Sequence, residues 1–439
     1  MQSSPDARTS SSVILKGAFG SAVLKGINLV FGLAATAFLG RVLLPEQYGY
    51  YSFASTTVTL LSMPVQCGLP QLMTREIAKY QFSGQWGYIR GLLLRANQLV
   101  GVLGALTIAI LLLLLPLLAK TVPAVEPKTF LWAIVLLPLI AFNRLRGGAL
   151  IGFRQVVLGM LPDNGIRAVL FLVLIVVWHA LLPFNSADAL ALQVAATVVA
   201  FLSGALLLMR ALPPAVRQAE ASFNTKVWVK AIIPLTLTDA LLIFNLQADL
   251  LVLGVFRDAA AVGIYRAAAL VAMQITIVVT IANEVLAPHI ARLHEARDHK
   301  GLQSLLRHAF LWLVGTAALL TAGCLVAGRE VLQLVFGSAY AGGAEALAIL
   351  ACGQFIAATA GIGSVVLNMS GHEKDVLRIF TVSALSNLIA NVVLVPRFGL
   401  AGAAFATGGC QLGTNALLLF FVHRRLGISF WPVGRRISG

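Results

Sequence analysis

Apolar stretches long enough to cross a bilayer follow one another from end to end of this chain, which leaves it very few ways to fold. Crossing a hydrocarbon core of about 30 Å takes ~20 helical residues. Twelve runs near that length can be drawn, the first at 14–39 and the last at 400–422. A backbone amide in lipid has no water to turn to, so a single chain has to cross as helices that satisfy themselves. The expected fold is therefore an all-α polytopic membrane protein of about twelve transmembrane helices. Only 11% of residues are charged, against about 25% in soluble domains. The connections are short, and none could hold a folded soluble domain.

A repeat refines this picture. Leu39-Gly40, followed by Gly49 and Tyr51, returns 214 residues later as Leu253-Gly254, followed by Gly263 and Tyr265. The register continues without a gap through Gly87 and Leu99-Val100-Gly101, which match Gly301 and Leu313-Val314-Gly315. Over 39–101 against 253–315, twelve of sixty-three positions are identical. The repeat predicts two similar six-helix lobes in parallel orientation. Their expected limits are a polar N-terminus at 1–12, a first lobe at 13–210, a linker at 211–225, a second lobe at 226–425 and a basic C-terminus at 426–439. Pro213 and Pro214 stop the sixth helix where the linker begins. Transporters built from repeats place their site between the halves, so the pattern points to transport.

The formal charge of +15 invites a nucleic-acid reading, but its distribution argues for a membrane one. With the N-terminus in the cytoplasm, twenty-three of the thirty-two Lys and Arg fall on cytoplasmic ends and loops. Six lie on the other side (Arg41, Lys120, Lys128, Arg257, Arg329, Arg397), and Lys25, Arg167 and Arg266 fall within spans. This asymmetry is the positive-inside rule and places both termini in the cytoplasm. Two amphipathic connections, 74–95 and 289–308, suit docking to anionic lipid heads or gathering of a phosphorylated substrate. The four cysteines are scattered through different spans, and His289, His294, His299 and His308 lack zinc spacing, so no metal site is expected. No Gly-rich loop ends in Gly-Lys-Ser/Thr, so no ATPase is expected and an ion or substrate gradient would supply the drive. The outer connections 119–128 and 328–341 are too short for a set of catalytic groups, so no enzyme activity is expected.

Charges within spans cost roughly 2.5–3.5 kcal/mol each on insertion scales. Lys25 and Asp239 are 214 residues apart and hold equivalent places in the repeat. They read either as a gate or coupling pair across a central cavity, or as a static salt bridge. Asp163 and Arg167 stand four apart on one helical face and are expected to pair, with Arg167 also placed to line a cavity. Asp249 and Arg266 flank a short turn and could pair as a hairpin. Arg41 marks the outer end of the first span, where snorkelling is the default. Pro64, Pro138, Pro162 and Pro234 lie within spans and are either hinges or packing points.

The run Leu39-Gly40-Arg41-Val-Leu-Leu-Pro45-Glu46-Gln-Tyr48-Gly49-Tyr50-Tyr51 resembles the Leu-Gly-Arg-x-Leu-Gly-Pro-Glu-x-Tyr-Gly signature of polysaccharide transporters. Cys67-Gly68-Leu69-Pro70, Arg75 and Glu76 continue it, and Asp249-Leu-Leu-Val-Leu-Gly254, Phe336-Gly337-Ser-Ala-Tyr340 and Pro396-Arg-Phe398-Gly399 are similar to later family segments. The chain is thereby identified as similar to Wzx-type oligosaccharide flippases of the multidrug/oligosaccharidyl-lipid/polysaccharide exporter superfamily. It departs at Leu44, where the family commonly has Gly, and the turn there is expected to change.

The resemblance implies two six-helix lobes around a V-shaped cavity. It also implies alternating-access transport of polyprenyl-pyrophosphate-linked glycan across a bacterial inner membrane. Polymerase and glycosyltransferases of the same pathway would be partners. Lys25, Arg167 and Arg266, with Arg41 and Arg75 at the mouths, would offset the pyrophosphate charge. Asp239, Asp249 and Asp163 would couple or gate, with H+ or Na+ as the driving ion and no cofactor. A multidrug and toxin cation antiporter and a lipid II-type flippase are the alternatives within the superfamily.

Overall fold

The computed structural model describes residues 6–296 and 298–426. The first five residues of the expected polar N-terminus, and the basic tail beyond Leu426, lie outside the described residues. In chain order come α1 (Asp6–Gln66), α2 (Leu69–Phe82), α3 (Trp86–Thr121), α4 (Pro127–Gly152) and the short α5 (Val156–Met160). A π-helical turn (Leu161–Ile166) leads into α6 (Arg167–Leu181), then α7 (Ser186–Ala211), α8 (Pro214–Gln218) and α9 (Thr225–Phe256). The chain continues with α10 (Ala259–Met273), α11 (Ile277–Glu295), α12 (His299–Phe336), α13 (Ala344–Ala360), α14 (Ile362–Met369) and α15 (Glu373–Leu426). Among the described residues there is no strand.

Nine helical stretches are long and apolar enough to cross a membrane, and α9, broken between Leu241 and Ile243, supplies a tenth. Two of the nine are too long to be single spans. Phe19–Gln66 and Glu373–Leu426, of 48 and 54 residues, would measure about 70–80 Å if straight, more than twice the hydrocarbon thickness. Each is two helices joined at one non-helical residue, Leu44 in α1 and Gly399 in α15. Counting each as a pair brings the number to twelve among the described residues. Large apolar side chains stand outward on both halves of the chain, including Leu113 at 79%, Leu319 at 75% and Val326 at 86% exposure. Such surfaces are stable only against hydrocarbon. The protein is an all-α polytopic membrane protein.

The chain divides into two compact units, Met1–Ile243 and Phe244–Gly439, with the division at the break in α9. In the first unit α4 packs against α1, α2, α3 and α7, burying Phe130, Ala133, Leu137 and Ala141 completely or nearly so. α2 lies so close to α4 that a Cβ at Gly148 would come 2.3 Å from the Pro70 carbonyl oxygen. Thr74 Oγ1 donates across this contact to the Gly148 carbonyl at 3.0 Å.

The segment between α7 and α9, expected as a linker, is stitched to the start of α3. Ser222 N–H donates to the Gly87 carbonyl at 3.0 Å. Arg90 donates to the carbonyls of Arg217 and Ala219 at 2.9 and 2.7 Å. At Gly91 there is no room for a side chain, because a Cβ would fall 1.9 Å from the Ser222 carbonyl oxygen.

In the second unit α13 packs against α10, α12 and α15. Gly353 and Gly408 let α13 and α15 approach until a Cβ at the former would stand 2.8 Å from the Cα of the latter. The core beside this contact is built from Leu302, Leu306 and Leu313 of α12, Ala351 and Ala358 of α13, and Leu418 and Val422 of α15. At one end the buried Asp375 carboxylate accepts from Arg425 Nε at 3.0 Å and Nη2 at 2.9 Å.

Leu44 explains the one departure from the family signature. Its backbone stands at φ 60°, ψ 166°, a region in which a side chain is strained and glycine is not. Its side chain is 61% exposed, so little packing offsets that strain. Leu44→Gly is expected to stabilise the protein by about 1–3 kcal/mol, read as a rise in the thermal unfolding midpoint of the detergent-solubilised protein. A lower midpoint would show that Leu44 contributes more by contact than it costs in backbone strain.

Candidate functional site

The first unit holds a polar cavity of about 600 Å³ among its helices. Its charged lining residues are Arg144 of α4, Asp163 of the π-helical turn and Arg167 at the start of α6. Neutral polar groups complete it: Asn28 and Thr59 of α1, Gln71 and Thr74 of α2, Asn164 of the π-turn, and Gln193 and Thr197 of α7. Gly147, Gly148 and Gly159 line it too, leaving space where side chains would otherwise project.

The π-turn positions the acid. Pro162 has no N–H to give to a regular helical ladder, and the helix is wound wide from Leu161 to Ile166. Such turns inside α-helices occur frequently at functional sites. Asp163 Oδ1 accepts from Asn143 Nδ2 at 3.3 Å and lies 3.8 Å from Arg167 Nε. The pair anticipated from i,i+4 spacing therefore forms, and it stands at the cavity wall with both side chains about one-third exposed. With Arg144 counted, two guanidinium groups face one carboxylate.

Asp239, on the first piece of α9, accepts from Gln71 Nε2 at 2.6 Å, and the charge of Arg144 acts on the same carboxylate. Arg144 thus connects the cavity to Asp239. In the sequence Arg144 is one of the twenty-three cytoplasmic Lys and Arg and does not stand out. Its only signal is a second Arg two residues on, beside Gly147-Gly148, at the end of an otherwise apolar span. Arg146 takes a different environment, its guanidinium 3.6 Å from the Phe201 ring centre and 5.8 Å from that of Phe142.

The other candidates are dispersed. Lys25 and Arg41 have exposed side chains on α1 and are not among the cavity-lining residues. Arg75 lies on α2, ion-paired at 2.9 Å with the buried Glu76, and also stands outside the cavity lining.

Asp249 and Arg266 belong to a small cavity of about 50 Å³ in the second unit, with Asn245, Tyr265, Gln354, Thr407 and Gln411. Asp249 Oδ2 accepts from Tyr265 Oη at 2.6 Å and from Thr407 Oγ1 at 3.2 Å, and Oδ1 accepts from Leu250 N–H at 2.8 Å. The space suffices for one water or one small cation. Among the described residues no three His, Cys, Asp or Glu side chains cluster as metal ligands.

The two cavities share a register. Tyr51 Oη donates to Gln193 Oε1 at 2.9 Å in the first unit. Adding 214 to each number gives Tyr265 and Thr407, the two residues that donate to Asp249 in the second. The repeat seen in the sequence thus sets a tyrosine beside a polar residue that lines each cavity, with a carboxylate between the two in the second.

A polar cavity of this size is expected to hold water. In a background lacking the four native cysteines, Gln193→Cys is predicted to react with a small water-soluble thiol reagent. Ile175→Cys, at a fully buried position on α6, is predicted not to react. Equal protection of both cysteines would mean that the cavity is closed and dry.

The family described as "Polysaccharide biosynthesis protein" matches residues 14–294, and the family described as "Lipid II flippase MurJ" matches 164–435. An uncharacterized membrane protein of Methanocaldococcus jannaschii is 29% identical over 123 residues. That match spans 28% of this chain and only 24% of the relative's length.

Among solved structures, an inward-facing multidrug resistance MATE family transporter of the MOP superfamily superposes with a TM-score of 0.77 at 16% identity, covering 91% of this chain and 94% of that one. An inward closed lipid II flippase MurJ gives 0.68 at 12% identity, covering 93% and 87%. A MOP superfamily transporter from Pyrococcus furiosus, titled for the reverse polarity of its binding pocket, gives 0.60 at 16%, covering 94% and 95%. At these identities the structural likeness speaks for the fold, and the family match, which covers well over half of the chain, speaks for descent. The chain belongs to the polysaccharide biosynthesis protein family, within the multidrug/oligosaccharidyl-lipid/polysaccharide exporter superfamily.

Proposed function

We propose that this protein is a flippase for polyprenyl-pyrophosphate-linked oligosaccharide, moving it across a bacterial inner membrane by alternating access to supply surface polysaccharide. The observation that carries the reading is the lining of the first cavity, where Arg144 and Arg167 face one Asp163 among amides and hydroxyls. A pyrophosphate entering the bilayer loses its hydration and needs cations already in place. Guanidinium groups supply these in a planar, always-charged form that engages phosphate oxygens two at a time. Asn28, Asn164, Gln71, Gln193, Thr59 and Thr197 offer the donors and acceptors that sugar hydroxyls require.

The protein acts by translocation, without covalent chemistry. The concentration of Lys and Arg on one side of the spans supports an orientation with both termini in the cytoplasm. Polymerase and glycosyltransferases of the same pathway would act before and after it. A cationic drug would favour a cavity dominated by carboxylates, and this one has more Arg than Asp. The match to the lipid II flippase family favours a second cargo of the same chemistry, another polyprenyl-pyrophosphate-linked saccharide. The lipid that accumulates in a deletion strain distinguishes the two. A completed oligosaccharide unit with loss of surface polymer supports the first reading, and lipid II supports the second. Normal polymer with new sensitivity to cationic dyes would overturn both.

Replacing Arg144 and Arg167 together by Gln is expected to slow glycan export at least tenfold while the protein remains folded and membrane-inserted, since each charged hydrogen bond contributes about 1.5–3 kcal/mol. Export at the wild-type rate would remove the cationic-cavity account. Asp249, in its cage of Tyr265 and Thr407, is proposed as the coupling acid. Asp249→Asn is expected to abolish the response of transport to an imposed H+ or Na+ gradient while leaving cargo binding intact. An unchanged gradient response would assign Asp249 to structure alone.

A further inference from the structure

The first unit has a second hollow, unlike the polar cavity in every respect. A groove of about 460 Å³ runs between α2, the first half of α3 and the opening of α9. Its walls are Leu72, Leu92, Leu99, Val102, Trp228 and Ile232, over a floor at Ala96. The polar residues of its lining are Arg95, Gln98 and Thr225.

The wall is rigid where it matters. Trp228 Nε1 donates to Tyr80 Oη at 3.1 Å, which fixes the indole. Burial pushes the Tyr80 hydroxyl up from its usual range, so it stays neutral. The Arg95 guanidinium rests 4.8 Å from the Phe223 ring centre, a cation–π contact that holds the charge in place beside the groove. Val102 is 66% exposed, so the groove is open to the surface there.

Length and charge identify the occupant. From Leu92 to Val102 the groove follows α3 for ten residues, about 15 Å, half of a hydrocarbon core of about 30 Å. That is one leaflet deep. A chain of one leaflet's lipid fits it, and a much longer polyprenyl chain does not. Arg95 is the charged residue of the groove's lining, so a headgroup seated beside it meets a positive charge. We infer that this groove holds one acyl chain of an anionic phospholipid, with its phosphate engaged by Arg95. The site is separate from the polar cavity and from the cargo, and the occupying lipid packs against the opening of α9 through Trp228.

The test uses the full-length protein exchanged into mixtures of phosphatidylglycerol and phosphatidylcholine, with retained lipid counted by native mass spectrometry. The wild type is expected to keep one phosphatidylglycerol with about fivefold preference, the equivalent of ~1 kcal/mol for one basic residue near the membrane surface. Arg95→Gln is expected to lose that preference, and Ala96→Trp, which fills the floor, to lose the retained lipid. Leu113→Trp, on a lipid-facing part of α3 outside the groove, is expected to leave both unchanged.

Should Ala96→Trp fail to fold, a photo-crosslinking residue at Val102 carries the test, with lipid as the expected adduct. Unchanged preference in Arg95→Gln, or capture of a second copy of the protein at Val102, would overturn the assignment. Loss of export in the Arg144 and Arg167 variants with lipid retention intact keeps this site distinct from the transport reading.

Discussion

Hydrocarbon offers a peptide group no hydrogen-bond partner, so each place where this chain leaves the α-helix requires a local reason. Four such places among the described residues bear on the architecture. Leu44 and Gly399 each join two spans without a separate loop. The break between Leu241 and Ile243 falls where one compact unit gives way to the next. The π-turn at Leu161–Ile166 forms part of the wall of the polar cavity. Irregular backbone thus marks reversals, the division between units and one site, while a 3-10 turn at Gln274–Thr276 and a kink at Ala327 bend helices of the second unit.

The same solvent sets the electrostatics. Arg144 and Arg146 are two residues apart on α4 and point to different surroundings. One lines the polar cavity and acts on Asp239, while the other lies over aromatic rings. Both are ways of keeping a guanidinium near hydrocarbon, the first by a polar cavity and a nearby carboxylate, the second by the quadrupole of Phe201. Asp163 bridges Asn143 and Arg167 in a similar economy of partners. The cavity lining therefore carries two guanidinium groups and one carboxylate, with Asp239 held beside it on Gln71.

Much of this could be read from the chain. The spans follow from apolar length, and the Asp163–Arg167 pair follows from helical spacing, because both are local properties. Leu44 was legible as an oddity against the family signature, and the backbone shows the reason. The repeat was visible in residues such as Tyr51 and Tyr265, although their partners were not, because Gln193, Asp249 and Thr407 meet them only through tertiary packing. Arg144 was hidden for a related reason. A basic residue near a span end reads as an interfacial anchor until α2, packed on Gly148 and presenting Gln71, makes it part of a cavity wall. The bond between Gln71 and Asp239 joins residues 168 apart, beyond any periodicity argument.

The stitched segment after α7 has a historical side. Where two copies of an ancestral unit are fused, the join begins as slack, free to drift in length and composition. Here it has been absorbed into the first unit, with Ser222 pressed so closely on Gly91 that no side chain fits between them. A glycine in α3 is thus held in place by a seam that lies more than a hundred residues further along the chain. Lineages that lengthen or release the seam should be the ones in which that glycine is free to change.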